Sequence, residues 1–180
     1  MNISTKLVME AIKYYSSLGY QMIDVPLVVD QNVSEATKPD GVPDLSHIGG
    51  KVYVASAEQS FLQLHKEGKL PDGKYMALTP CYRPERRLSE THYLIFLKLE
   101  LIEIPSENSY KIMHDSLGFF KPLATKETYF EVTKDGEDII CGDVELGSYG
   151  VRHTLDGTSY AYGTGIAEPR FSSCVGRDDE

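Results

Sequence analysis

The chain has 180 residues, of which 41% are hydrophobic and 25% charged, an ordinary globular balance for a single domain able to bury a core. Twenty-seven acidic residues against 18 Lys and Arg give a net charge of −9. That balance excludes a broad electrostatic footprint for nucleic acid or an anionic membrane, so any cationic site must be local, set in an acidic body.

In chain order, the first expected element is a helix. Ser4 or Thr5 supplies an N-cap, and Leu7, Ala11, Tyr14 and Leu18 recur at helical spacing before Gly19 stops it. Residues 20–25 alternate and are rich in strand formers, with Pro26 ending the strand. Residues 30–50 carry Pro39, Gly41, Pro43, Gly49 and Gly50 among polar residues and read as one long loop, a class that is usually functional or mobile. A short strand at 51–55 follows. Ser56 and Glu58 then stand at its junction with a helix over 58–66, where they also suit ordinary helix-start roles.

Pro71-Asp72-Gly73 marks a turn, and the apolar-rich residues 75–82 form a strand. Arg83 and Glu85 come directly after it, a charged loop spans 86–91, and His92 opens a second strand containing Phe96 and Glu100. A guanidinium beside a carboxylate suits a nucleotide, the one pairing with phosphate oxygens and the other accepting from a base amino group; a solvated hairpin tip with surface ion pairs is the plainer alternative. Pro105 breaks the pattern, and residues 107–120 read as helix.

The last third reads as antiparallel sheet. Residues 128–133 alternate, Asp135-Gly136 is a hairpin signal, and 138–146 is the return strand. Asp138 and Glu145 are seven apart, so a regular strand would place them on opposite faces; a bulge or a turn at Gly142 is needed to bring both to one site. Residues 147–152 are glycine-rich, Asp156-Gly157 marks another turn, and Gly163 to Arg170 is expected to open a terminal helix. It is not a phosphate-cradling loop, because the Gly-Lys-Ser/Thr ending is absent. Cys81, Cys141 and Cys174 are an odd number at wide spacing with no CxxC pair, which favours reduced thiols in a cytoplasmic setting over disulfides or zinc. No signal-peptide pattern opens the chain and no apolar run approaches ~18 residues, so no membrane association is expected.

The order of these signals resembles the catalytic domain of the class II aminoacyl-tRNA synthetases. The helix and strand ending at Pro26 look like motif 1 (residues 5–26). Tyr82-Arg83-Pro84-Glu85, His92, Phe96 and Glu100 match motif 2 (residues 78–103) at each step. Gly163, Gly165, Ala167 and Arg170 keep the spacing of motif 3 (residues 159–176), with Ala for one Gly and Pro169 for the acid before the Arg. Asp138, Glu145 and Arg152 are similar to an acid pair and an Arg of the aspartyl, asparaginyl and lysyl branch, and Ser56-Ala57-Glu58 to its substrate-amino segment.

The resemblance implies an α+β fold, an antiparallel sheet flanked by helices, as one catalytic domain over residues 1–180. It further implies ATP bound through Arg83, Glu85, His92, Phe96 and Arg170, with Arg83 and Arg170 catalytic. Mg²⁺ would lie on Asp138 and Glu145, and the amino acid on Ser56, Glu58 and Arg152, the last implying an acidic or amide substrate. Phe61 stands where the aspartyl enzymes carry a Lys. Motif 1 implies a homodimer. The ten residues after Arg170 leave no room for an anticodon-binding domain, and the acidic balance speaks against tRNA as acceptor. Two functions stay open: amino-acid adenylation, favoured by the retained acid pair, and a catalytically weak paralogue with a regulatory, ligand-binding role, favoured by the altered motif 3.

Overall fold

A computed structural model describes residues 2–38, 41–84, 93–133 and 136–175. In chain order the elements are α1 (Thr5–Ser17), β1 (Gln21–Met22), β2 (Val28–Asp30), α2 (Gln31–Glu35), β3 (Lys51–Tyr53), α3 (Ala57–Lys66), β4 (Gly73–Tyr82), β5 (Ile95–Ile104), α4 (Tyr110–Phe120), β6 (Thr128–Val132), β7 (Glu137–Cys141), β8 (Val144–His153) and β9 (Ser159–Glu168). A 3₁₀ turn, Phe171–Ser173, follows. Seven strands form one sheet in the order β1-β4-β5-β9-β8-β7-β6, with β1 parallel to β4 and every other pairing antiparallel. β2 and β3 form a separate two-stranded ribbon.

Helix α1 begins where the sequence places a cap: the Leu7 amide donates to Ser4 Oγ at 3.3 Å. Leu7 and Ala11 are buried and Tyr14 and Leu18 pack at the edge of the core, but the largest fully buried side chain of the helix is Tyr15, whose hydroxyl donates to the Gly165 carbonyl at 2.8 Å. With α4 this helix covers one face of the sheet through Leu99, Leu101, Ile112, Met113 and Tyr149. Helix α3 and the β2–β3 ribbon cover the other, through Phe61, Val54, Ile102, Ile104 and Tyr160. Sealing Phe61 completely contributes about 1.5–3 kcal/mol, a typical return for a core aromatic. Alternation on β5 sorts its residues between the two layers, with Leu99 and Leu101 toward α1 and α4, and Phe96, Lys98, Glu100 and Ile102 toward the α3 side.

Four expectations need correction. The first strand pairs over two residues only, Gln21↔Tyr75 and Met22↔Met76; the Ile23 amide still donates to the Met76 carbonyl at 3.0 Å, and Ile23 and Val25 pack on the α3-side core. The expected loop from 30 to 50 begins with the short helix α2, whose Val33 and Ser34 are buried. The expected return strand over 138–146 is two strands, with Gly142 at φ +61° in the turn between β7 and β8, a conformation that favours glycine. The glycine-rich run opens no helix. Residues Ser159–Glu168 are a central strand, every one of them buried.

The reason is close packing on both faces of β9. A Cβ on Gly163 would lie 2.4 Å from the Tyr149 ring and 2.5 Å from Ile112. Small residues here admit neighbours, and the doubly covered strand loses the alternation by which sequence reading finds strands. Among the described residues no helix is long and apolar enough to cross a membrane.

Candidate active site

The α3-facing side of the sheet holds a cavity of about 420 Å³ between β4, β5, β8 and β9 and the loop after α2. Four cations line it, Lys38, Arg83, Lys98 and Arg152, and so do four acids, Asp44, Glu58, Glu100 and Asp138. Cavities with a few convergent charged groups inside an apolar frame are the usual place for small-molecule chemistry.

At one end the β4–β5 hairpin presents Arg83. The Arg83 amide donates to the Leu94 carbonyl at 2.9 Å, and its Nε lies 3.4 Å from the Ala55 carbonyl. The guanidinium stands over the Phe96 ring, 5.0 Å from its centroid, a cation–π contact that holds the charge at the cavity wall. Phe96 itself is buried with Cys81 and Ala167, so the wall here is the guanidinium rather than the ring. Glu85 and His92 lie outside the described residues.

In the middle lie two residues that the motif reading did not assign to the site. Lys98 pairs with Glu100 at 2.7 Å, and Ser56 Oγ donates to the same carboxylate at 2.5 Å. Phe96, Lys98 and Glu100 alternate on β5, which spaces the three along one wall at roughly 6–7 Å per step. Their alternation within an otherwise apolar strand was the available signal. Ser56 also caps α3 by accepting from the Glu58 amide at 3.2 Å, so its helix-start and site roles coincide.

At the far end Arg152 Nη1 donates to both Glu58 oxygens, at 2.9 and 2.8 Å, and the Tyr160 hydroxyl donates to Oε1 at 2.8 Å. The Arg152 guanidinium also lies over the Tyr162 ring at 4.4 Å. Burial pushes the Glu58 carboxyl above its ordinary range; the Arg152 charge works against this, while nearby Glu100 adds to it. Burial also disfavours the Arg152 charge, but Glu58 together with Tyr162 and Tyr160 more than offsets it and raises the guanidinium pKa above its ordinary value.

The acid pair sits beside this wall. Glu145 is registered opposite Ile140, two residues from Asp138 on β7, and the register shifts by one between Ile139 and Ile140. Turn and bulge together therefore put Asp138 and Glu145 on the same face, which a seven-residue spacing in a regular strand forbids. Asp138 lines the cavity and accepts from Ser148 Oγ at 2.5 Å. Glu145 is half exposed and pairs with Arg170 at 3.2 Å, outside the cavity lining. Two hard carboxylates on one face fit Mg²⁺, which takes one or two protein carboxylates and fills its other positions with phosphate and water. Among the described residues no group of three or more His, Cys, Asp or Glu could hold a metal ion.

The loop after α2 roofs the cavity through Thr37, Lys38, Val42, Pro43 and Asp44. It is tied down by Lys38 to Asp44 at 2.5 Å and by Ser34 Oγ to Asp44 at 2.7 Å, with Gln59 Nε2 donating to Ser34 Oγ at 2.9 Å.

Three solved structures, of two synthetases, share this fold. Two are of the pyrrolysyl-tRNA synthetase of Desulfitobacterium hafniense, each with a TM-score of 0.70. The third is the cytoplasmic serine-tRNA ligase of Naegleria fowleri in complex with AMP, with a TM-score of 0.71. The fold is that of a class II aminoacyl-tRNA synthetase catalytic domain. Identity is 17% in each case; the matches cover 93% of this chain, and 64%, 67% and 52% of those proteins. No protein-family model matches the sequence. No curated protein matches it either. These matches are to pyrrolysyl and seryl enzymes and do not bear on the resemblance to the aspartyl branch, which rests on sequence spacing.

Proposed function

We propose that the chain activates an amino acid, or a related carboxylate, as its acyl-adenylate. The observation that carries this is the order of groups along one wall: Arg83 at the hairpin end, Lys98 and Glu100 with Ser56 in the middle, and Glu58 with Arg152 at the far end. A nucleotide and an amino acid laid head to head along such a wall meet near its centre. There a substrate carboxylate oxygen attacks the α-phosphorus of ATP, the P–O bond to the β-phosphate breaks, and pyrophosphate leaves. Arg83 stabilises charge growing on the α-phosphate, and Phe96, buried behind the guanidinium, holds that charge in place at the adenine end. Glu85 would accept from the adenine amino group, and His92 and Arg170 would hold the γ-phosphate.

Ser56, Glu58 and Arg152 form the amino-acid end. Asp138 and Glu145 would hold Mg²⁺, which neutralises phosphate charge. In-line displacement needs positioning and charge neutralisation rather than a protein nucleophile. The remaining assignments follow from the same reading: one catalytic domain over residues 1–180, a cytoplasmic setting, and a homodimer built through α1 and β1. The acyl acceptor is a small molecule or carrier in preference to tRNA, on the strength of the −9 net charge.

A second reading has its own support. Arg170 is held by Glu145 away from the cavity lining, and Pro169 stands where motif 3 has an acid. That favours a ligand-binding regulatory paralogue. Pyrophosphate exchange into ATP, with Mg²⁺ and a panel of amino acids, separates the two. Adenylation requires amino-acid-dependent exchange that Arg83→Ala lowers by about 10²–10³-fold, the usual effect of removing a transition-state charge partner. ATP binding without exchange for any amino acid supports the regulatory reading instead.

A further inference from the structure

The far end of the cavity carries information about the substrate side chain, given the adenylation reading. Arg152 is the residue that implies an acidic or amide substrate by resemblance. Its charge is already matched: Nη1 donates to both oxygens of Glu58, whose side chain is 6% exposed. The pair is fixed on both sides. Tyr160 donates to Glu58, and the Arg152 guanidinium stands over the Tyr162 ring, 4.4 Å from its centroid, with the Arg152 side chain 31% exposed. Glu100 is close enough to add to the negative potential felt by Glu58.

From this geometry we infer that the Glu58–Arg152 pair forms a subsite for a neutral carboxamide side chain and disfavours an acidic one. The hydrogen-bond inventory sets the choice. Among the described residues no hydrogen bond engages Arg152 Nε or Nη2, so the pair offers donors on the guanidinium. Glu58 Oε2 accepts one bond and keeps acceptor capacity. A carboxamide supplies one carbonyl acceptor and one amino donor, and satisfies both. A carboxylate supplies acceptors alone; it answers the guanidinium, leaves the spare acceptor capacity of Glu58 Oε2 unused, and competes with Glu58 for the Arg152 charge. A cationic side chain competes with Arg152 for an oxygen pair it already holds. An apolar side chain buries the guanidinium donors without a partner.

Exchange measured with asparagine, glutamine, aspartate and glutamate tests the inference. At least one carboxamide is expected to support exchange with kcat/KM at least about 100-fold above its acidic counterpart, within the roughly 10⁴–10⁵-fold by which a hydrogen-bonding site can reject a side chain that leaves its groups unpaired. Glu58→Gln, which removes the compensating charge, is expected to move that ratio at least about tenfold toward the acid; a ratio unmoved in a folded variant overturns the inference. Equal or better exchange with aspartate or glutamate in the native protein overturns the inference and leaves adenylation standing. If none of the amino acids supports exchange, adenylation fails, and thermal shifts of the native protein with the same four ligands decide the subsite. A shift with a carboxamide larger than with its acid sustains the inference; the reverse order, or no shift with any, overturns it.

Discussion

Glu168 is the residue that the fold holds at the greatest disadvantage. Its carboxyl is fully buried; Oε2 accepts from Ser172 Oγ at 2.5 Å and from the Ser4 amide at 3.4 Å, while Oε1 has no hydrogen-bond partner among the described residues. Burial pushes its pKa above the ordinary 4.5, against the pull of Ser172 and Ser4. A carboxyl whose folded pKa exceeds its unfolded one contributes stability that is complete below about 4.5 and is lost as pH rises through the higher folded value. Glu168→Gln, neutral at every pH, is therefore expected to melt above the native protein at neutral pH, the gap closing as pH falls to about 4.5. Melting curves of both proteins across that range check it, and a gap that does not change with pH contradicts it. The opposite case is Lys98. Glu100 is 1% exposed and depends on this lysine, so Lys98→Met strands a buried carboxylate and is expected to cost about 3–5 kcal/mol in chemical denaturation. A loss below about 1 kcal/mol would mean that water reaches Glu100.

At the scale of elements, β9 organises the sheet. It pairs with β5 on one side and β8 on the other, and it lies under α1 and α4. Tyr15 from α1 and Tyr149 from β8 both donate to its carbonyls, at Gly165 and Thr164. Gly163→Ala should force Tyr149 and Ile112 apart, at a cost of about 1–3 kcal/mol and a fall of roughly 2–4 °C in melting temperature per kcal/mol. An unchanged melting temperature would show slack that the geometry denies. The β7–β8 hairpin has a different task. Its bulge decides which face Glu145 occupies, and so whether two carboxylates can share one ion. The packing around β9 depends on neighbours far along the chain and is not visible in a window of ten residues, whereas the β7–β8 turn is local, and the spacing of Asp138 and Glu145 already required it.

For the whole molecule, the open question is assembly. Ile3, Met9 and Met22 are exposed on and beside α1, apolar surface where the proposed dimer would form. Light scattering is expected to give about twice the 20.1 kDa of one chain, and a mass near 20.1 kDa contradicts the dimer. By itself the sequence determined the local elements: the Ser4-capped helix, the turn at 71–73, the β4–β5 strands with Arg83 between them, and Ser56 at the start of α3. Caps, turns and alternation are written in residues close along the chain, so they survive without tertiary information. Of the charged groups facing the cavity, Glu58, Arg83, Asp138 and Arg152 were legible as site residues and Glu100 only as a motif residue, whereas Lys38, Asp44 and Lys98 were not singled out. Only the tertiary structure decided that residues 159–168 are a strand, because a doubly covered strand shows no alternation. It also decided the charge partners: Glu58 meets Arg152 across 94 positions, Ser56 meets Glu100 across 44, and Arg170 meets Glu145 across 25. A side chain's chemistry is fixed by its type, but its net charge and free valences depend on what folding places beside it, and here that changes Arg152 from a bare cation into half of a neutral pair.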